Sequence, residues 1–450
     1  MTREVDDAVF RRILRISERS NYTGAPNPYP ALAAWDVLSD DSSVRRAWTG
    51  VRPGTDLGLY VHIPFCRARC RFCFLPVWGV GDRGRVERYL RALLREAGIA
   101  SGMVGRAAFR SVYVGGGTPT LLSPGDLERL FEGLRRSFEL EPDCQIALEA
   151  NPDALQPALA RRLKGLGVNW LTLGVQSTED AVLKASGRTH TGRQALAAYR
   201  AARAAGVEGI NVDLLFGLPG QSREGFLADV ERVAAWGPDQ IHLNTYVNAP
   251  RTAMARSGHR VTRGAFQELL RVQESGFEIL LRRGYARLDA DSAGRTADSV
   301  NWQGSRALGE GAGILGLGVV AVSYVPGRLR YVNTKDIGAY AEALERGRLP
   351  VERGIELSPG REMRHFLLNA LEHEGVIRKK SFRRIFGTPA EREFGGELDR
   401  LVKRGVLRED ADSYRLTDHP GGVFEYSRHL YEPGIIEKIA RRYRLQAARR

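Results

Sequence analysis

The stretch "YVHIPFCRARCRFCF", residues 60 to 74, holds three of the chain's four cysteines, Cys66, Cys70 and Cys73, in a C-x3-C-x2-C pattern. Thiolates at that spacing can wrap three irons of a four-iron four-sulfur (4Fe-4S) cluster, which leaves the fourth iron open to a substrate or cofactor. A structural zinc site would need a fourth ligand, for which Cys144 or His62 is available. Four cysteines in 450 residues, three of them clustered, do not make a secreted disulfide framework.

The cysteines need a scaffold, and the surrounding sequence describes one. Short apolar runs at 57–65, 111–117, 145–152, 170–177, 209–219 and 240–250 alternate with helical patterns such as "VERYLRALLREAG" and "RQALAAYRAARAAG". Six such units predict an α/β fold with a parallel sheet covered on both faces, a partial (β/α)6 barrel. Ligands of such folds collect at the C-terminal ends of the strands. There the chain puts its cysteines, "GGGTPT", Glu149, Gln176 and Asp213.

The remaining segments divide as an N-terminal arm over 1–50, the barrel over 51–290, a Gly-rich extension over 291–354 and a winged-helix-like C-terminal region over 355–450. The arm reads as irregular, with "NYTGAPNPYP" near its middle. No apolar run is long enough to cross a bilayer, and the first twenty residues lack a leader pattern, so a cytoplasmic protein without membrane contact is expected. The formal charge of +14 comes from arginines scattered along predicted helices beside acids, so nucleic acid is not an expected partner.

With the motifs in order, the chain resembles the radical S-adenosylmethionine (radical SAM) enzymes. "YVHIPFC", "VYVGGGTPT", "LEANP", "LGVQS", "NVDLLFGLPGQ" and "LGLGVVAVS" make it similar to the HemN-type branch over residues 57 to 430. That branch includes coproporphyrinogen III oxidases, HemW haem chaperones, and class C methylases and cyclopropanases. The resemblance implies a 4Fe-4S cluster on Cys66, Cys70 and Cys73, with SAM on the open iron. It also implies SAM contacts from Tyr60, Phe72, Gly115, Gly116, Gly117, Thr118, Glu149, Gln176, Arg188 and Asp213, and a second SAM near Gly316.

The physical chemistry of these residues agrees in kind. An Asp inside "NVDLLFGLP" needs a polar partner if buried, Arg188 can clamp a carboxylate, and a Gly run lets backbone approach closely. Cys144 reads as a small buried hydrophobe. His62 and His190 are given no chemical role.

Oxidases of the branch carry another Cys two residues after the third ligand, where this chain has Leu75; the chaperones read Cys-Asp-Phe, where it has Cys73-Phe74-Leu75. On those departures the expected activity is two-SAM methylation or cyclopropanation of an sp2 carbon in an unsaturated, natural-product-like small molecule. The alternatives are coproporphyrinogen III oxidation and haem chaperoning. The expected partners are a flavodoxin-like electron donor and a companion methyltransferase.

Overall fold

The computed structural model describes residues 29–447, except 53, 248, 250, 251, 306, 308–310 and 418–421. Six strands, β1 (Leu57–Ile63), β2 (Ala108–Gly116), β3 (Glu139–Ala150), β4 (Trp170–Gln176), β5 (Gly209–Phe216) and β6 (Gln240–Thr245), pair in chain order, each parallel to the next. Helices Arg83–Val104, Pro124–Ser137, Pro157–Gly165, Gly192–Ala204 and Arg223–Trp236 cross between them. Local chemistry starts these helices: Ser123 and Ser222 accept from the third backbone amide onward, and Thr191 closes a capping box with Gln194.

Successive residues of each strand divide between two faces, and the one that joins the helices in the core is apolar. Leu59, Val61, Ile63, Val112, Val114, Leu171, Leu173, Ile210 and Val212 are all buried in one core.

The sheet does not end where the six units do. β7 (Gly313–Leu317) returns to lie parallel against the free side of β1, with Gly316 opposite Tyr60. Antiparallel strands Val322–Val325, Leu329–Asn333 and Val351–Glu356 continue beyond it. Two short strands, Ser292–Gly294 and Ala286–Arg287, finish the other edge, and with Asp36–Val37 beyond Val351–Glu356 this sheet has thirteen strands among the described residues.

The arm differs from the irregular segment expected. Asp36–Val37 pairs with Val351–Glu356, and Ser42–Thr49 is a helix that buries Val44, Ala47 and Trp48. Val44 and Trp48 recur at helical spacing, and the indole N–H of Trp48 donates to Tyr331, so tertiary packing orders the segment. Of "NYTGAPNPYP", residues 21–28 lie outside the described residues.

At the C-terminal end, helices Pro359–His373, Lys379–Phe386 and Ala390–Lys403 pack with a three-stranded antiparallel sheet ordered Val376–Arg378, Ser413–Leu416, Leu407–Glu409. The last helix, Pro433–Ala447, reaches back to the arm, where Arg442 donates to the carbonyls of Ala33 and Trp35. No helix of the described residues is long and apolar enough to cross a membrane.

Candidate active site

Cys66, Cys70, Phe72, Cys73, Gly115 to Gly117, Thr118, Glu149, Gln176 and Arg188 lie at or just beyond the C-terminal ends of β1 to β4 or on the loops that follow, whereas Tyr60 and Asp213 stand within β1 and β5, Cys144 within β3 and Gly316 on β7. Cys66 closes a two-residue strand after β1, and the chain turns through Cys70 and Cys73 before rejoining the helical layer. The turn is held by its own backbone and by arginines. The Cys73 amide donates to the Cys70 carbonyl at 3.1 Å, Arg69 donates to the carbonyls of Cys73 and Leu75, and Arg71 donates to that of Ala185. Phe72 packs against the cluster of Val182, Leu215, Leu218, Tyr246 and Met254.

All three thiols are free and partly buried. Burial pushes the Cys66 thiol up to about 11, against the opposing hydrogen bond from Thr118, whose Oγ1 lies 3.6 Å from the sulfur. Burial also raises Cys73. Thiols held this way need a bound cation to become thiolates. Among the described residues no three His, Cys, Asp or Glu side chains converge on a single-ion site. Cys144 is buried well back along β3, and His62 Nδ1 is engaged by the Tyr60 hydroxyl at 2.9 Å. The zinc alternative therefore finds no assembled ligand set.

Arg188 ties the loop to the sheet. Its Nη1 donates to Cys70 Sγ at 3.3 Å, its Nη2 donates to Asn151 Oδ1 at 2.7 Å and to the Gly174 carbonyl, and its Nε is buried without a partner. At the end of β4, Gln176 has φ +68°, an uncommon conformation for a residue with a side chain and one that collects at functional sites.

Two carboxylates face the barrel interior. Glu149 accepts from the Tyr113 hydroxyl at 2.8 Å and from the Gly116 amide at 3.0 Å. Burial raises its carboxyl against those two bonds. Asp213 accepts from Asn211 Nδ2 at 2.7 Å and lies 3.6 Å from His242 Nδ1; burial raises it too. Tyr60 stacks on Tyr113 with ring centroids 6.0 Å apart.

The glycine run is explained by this chain's own atoms. A Cβ on Gly115 would lie 2.7 Å from Glu149 Oε1, one on Gly116 would lie 2.6 Å from the His62 ring, and one on Gly117 would lie 2.6 Å from the Phe65 carbonyl. Gly116 also sits at φ +111°. Crowding by the chain's own atoms thus requires glycine at all three positions, whatever ligand the backbone also meets. Gly316 lies on β7, apart from these residues: its amide donates to Ser323 Oγ and a Cβ there would strike the Val322 carbonyl. His190 is buried, with Nε2 on the Val175 carbonyl and Nδ1 without a partner.

Tyr113, Asn151, Asn211 and His242 escaped the sequence reading. Period-two alternation could have found two of them, since Tyr113 precedes Gly115, and Asn211 precedes Asp213, on the same strand face.

The donor set fits a cluster with one thiol per iron and a small polar cofactor beside it. Three thiols leave a single loop, two half-buried carboxylates face inward, and Arg188 Nε and His62 Nε2 are buried without partners.

Comparison with known proteins agrees. Residues 60–233 match the radical SAM superfamily. The oxygen-independent coproporphyrinogen III oxidase of Pseudomonas aeruginosa is 30% identical over 429 residues, 91% of this chain and 92% of the relative. Heme chaperone HemW of Mycobacterium tuberculosis is 30% identical over 380 residues, 81% of this chain and 92% of the relative. The structure of coproporphyrinogen III oxidase (HemN) from Escherichia coli superposes with a TM-score of 0.77 at 24% identity, covering 95% of this chain and 99% of that one. These relatives correct the expected activity. Proteins that match over nearly their whole length are named for porphyrinogen oxidation and haem chaperoning, so carbon methylation or cyclopropanation is not retained.

Proposed function

This chain belongs to the radical SAM superfamily, in its HemN-type branch, and on that premise we propose that it catalyses oxygen-independent oxidation of coproporphyrinogen III. The observation that carries the reading is coverage. Similarity to the oxidase takes in 91% of the chain, against 81% for the chaperone.

The superfamily implies a 4Fe-4S cluster and SAM, which together supply a one-electron cleavage yielding a hydrogen-abstracting 5′-deoxyadenosyl radical. Cys66, Cys70 and Cys73 would hold the cluster. Arg188, already on Cys70 and Asn151, is placed to receive a carboxylate on its free Nε. Glu149 offers a carboxylate oriented by Tyr113 and Gly116 to an ammonium group. Asp213, steadied by Asn211, offers acceptor oxygens to a ribose diol. Tyr60, Phe72, Gly115 to Gly117, Thr118 and Gln176 complete the walls.

Each turnover would remove one hydrogen atom, carbon dioxide and one electron from a propionate to leave a vinyl group, the electron passing to an external one-electron acceptor. A second SAM near Gly316, a flavodoxin-like reductant and a cytoplasmic location belong to the same proposal.

Haem chaperoning is the second reading, supported by the 30% identity to HemW over 380 residues; Phe74-Leu75 departs from the oxidases and the chaperones alike. The test is anaerobic: reconstituted protein, dithionite, SAM and coproporphyrinogen III, with carbon dioxide, vinyl product and 5′-deoxyadenosine quantified. Vinyl product in step with 5′-deoxyadenosine supports the oxidase. Absence of vinyl product, with a Soret band developing on haem titration, replaces it with the chaperone.

A further inference from the structure

On the rim beside the cluster loop, β7 ends in a turn whose backbone is unusual twice over. Gly318 has φ +101° and Val320 has φ +53°, and a β-branched residue at positive φ is a genuine outlier. Strain of this kind persists only where surrounding structure over-determines it, and it gathers at ligand sites.

The surrounding structure is a bracket on the helix Arg83–Val104. Glu96, only 2% exposed, accepts from the Gly318 amide at 2.7 Å, from Asn333 Nδ2 at 2.6 Å and from the Tyr340 hydroxyl. Asn333 Nδ2 also donates to the Gly318 carbonyl at 3.0 Å. Two turns earlier on the same helix, the Tyr89 hydroxyl donates to the His62 carbonyl at 2.7 Å and accepts from the Val319 amide at 3.2 Å. A Cβ on Gly318 would lie 2.5 Å from that hydroxyl and 2.7 Å from that carbonyl, so the close approach requires glycine.

A fully buried carboxylate whose contacts are neutral donors is expensive to maintain, where a neutral side chain would cost less. Its donors tie the end of β7 to the strand Leu329–Asn333 and the helix Ile337–Glu345, while Tyr89 joins the same turn to β1. β1 carries Tyr60 and His62 on its inner face, and β7 and β1 are parallel neighbours whose C-terminal ends share the ligand-bearing rim.

We infer that Glu96 is a positioning residue: its buried carboxylate, with Tyr89, locks the strained Gly318–Val320 turn onto β1 and thereby sets the wall against which SAM is bound. Ligand affinity therefore depends on a group that does not itself touch the ligand. The inference rests on the chain's SAM chemistry, and not on which tetrapyrrole reaction follows.

The test uses SAM alone, without porphyrinogen, so a failed oxidase assay leaves it intact. Hydrogen exchange is followed on the peptide spanning residues 313 to 325 in reconstituted wild type, Glu96→Gln and Tyr89→Phe, each with and without SAM, beside SAM-dependent 5′-deoxyadenosine formation. SAM is expected to slow exchange at the turn in the wild type, and Glu96→Gln to speed it about tenfold and raise the KM for SAM about tenfold, with kcat within about twofold. Tyr89→Phe follows in the same direction with smaller effects, and it decides the matter if Glu96→Gln does not fold. Exchange at the turn that ignores both substitutions, or ignores SAM, overturns the inference. So does a lowered melting temperature with an unchanged KM, which would make Glu96 an ordinary core residue.

Discussion

The two ends of the same parallel sheet treat their polar residues differently. At the N-terminal end a cavity of ≈ 340 Å³ is lined by Asp143, Gln145, Asn169, Trp170, Glu208, Asp239 and their neighbours. Most of its polar groups are spent on backbone. Asn169 accepts from the Ile146 amide and donates to the Cys144 carbonyl, Gln145 joins the Val300 carbonyl to the Trp302 amide, and Asp239 accepts from the Ile210 amide. Trp170 Nε1 and Asn301 Nδ2 are exceptions.

At the C-terminal end the polar residues bond mainly to one another and keep capacity in hand, as with Arg188 Nε, His62 Nε2 and the raised carboxyls of Glu149 and Asp213. Groups that close on backbone hold the fold. Groups buried with bonding capacity to spare are the ones available to a ligand.

The sharpest test removes a thiol from the C-terminal end. Cys70→Ala is expected to reduce 5′-deoxyadenosine formation to background and to lose iron on desalting, while the circular dichroism spectrum stays native. Retained iron and activity would break the contrast outright.

Glu149→Gln comes next. Losing a charge-assisted contact worth about 1.5–3 kcal/mol should weaken SAM binding roughly 10- to 100-fold in equilibrium dialysis. The same variant sharpens the comparison through pH. Burial holds the folded carboxyl of Glu149 above its ordinary value, so its contribution to stability is present at low pH and is lost as pH rises through the raised value. Glu96, pushed up to about 7, acts in the same sense. The melting temperature of cluster-free protein should therefore fall as pH rises from the ordinary carboxyl range towards neutrality, and fall less in Glu149→Gln. An identical slope in both proteins would count against a buried ionisable group there.

Asn169→Ala, at the other end, should behave oppositely. It leaves the Ile146 amide and Cys144 carbonyl unpaired and should cost about 1–3 kcal/mol by denaturant melts, with kcat per folded molecule unchanged. The smallest effect is expected from Glu208→Ala, which removes a partly exposed ion pair with Lys164 on the rim of the cavity and should cost below about 1 kcal/mol.

Much of this was legible beforehand. The six strands fall within a few residues of the apolar runs, except that β3 begins at Glu139, well before its expected start at 145. The cysteine loop, Glu149 and Gln176 stand at strand ends because a parallel sheet places them there. The pairing of β7 with β1 could not be read, since "GILGL" carries no signal naming a partner made so much earlier in the chain. Nor could the Arg188 contact to Cys70, which depends on how a loop after the helix Asp180–Ala185 folds back over another loop. The crowding of the glycine run by Glu149, His62 and Phe65 could not be read either, because it is a tertiary fact.

The return of β7 also bears on synthesis. Until Gly313–Leu317 has left the ribosome, β1 has one side unpaired, and it is apolar and flat, the kind of edge that invites association with other chains. A fragment cut after β6 would keep that edge for good and should aggregate more readily than the whole chain. The nascent protein must pass through the same exposed interval each time it is made, and shielding by a chaperone would be most useful then.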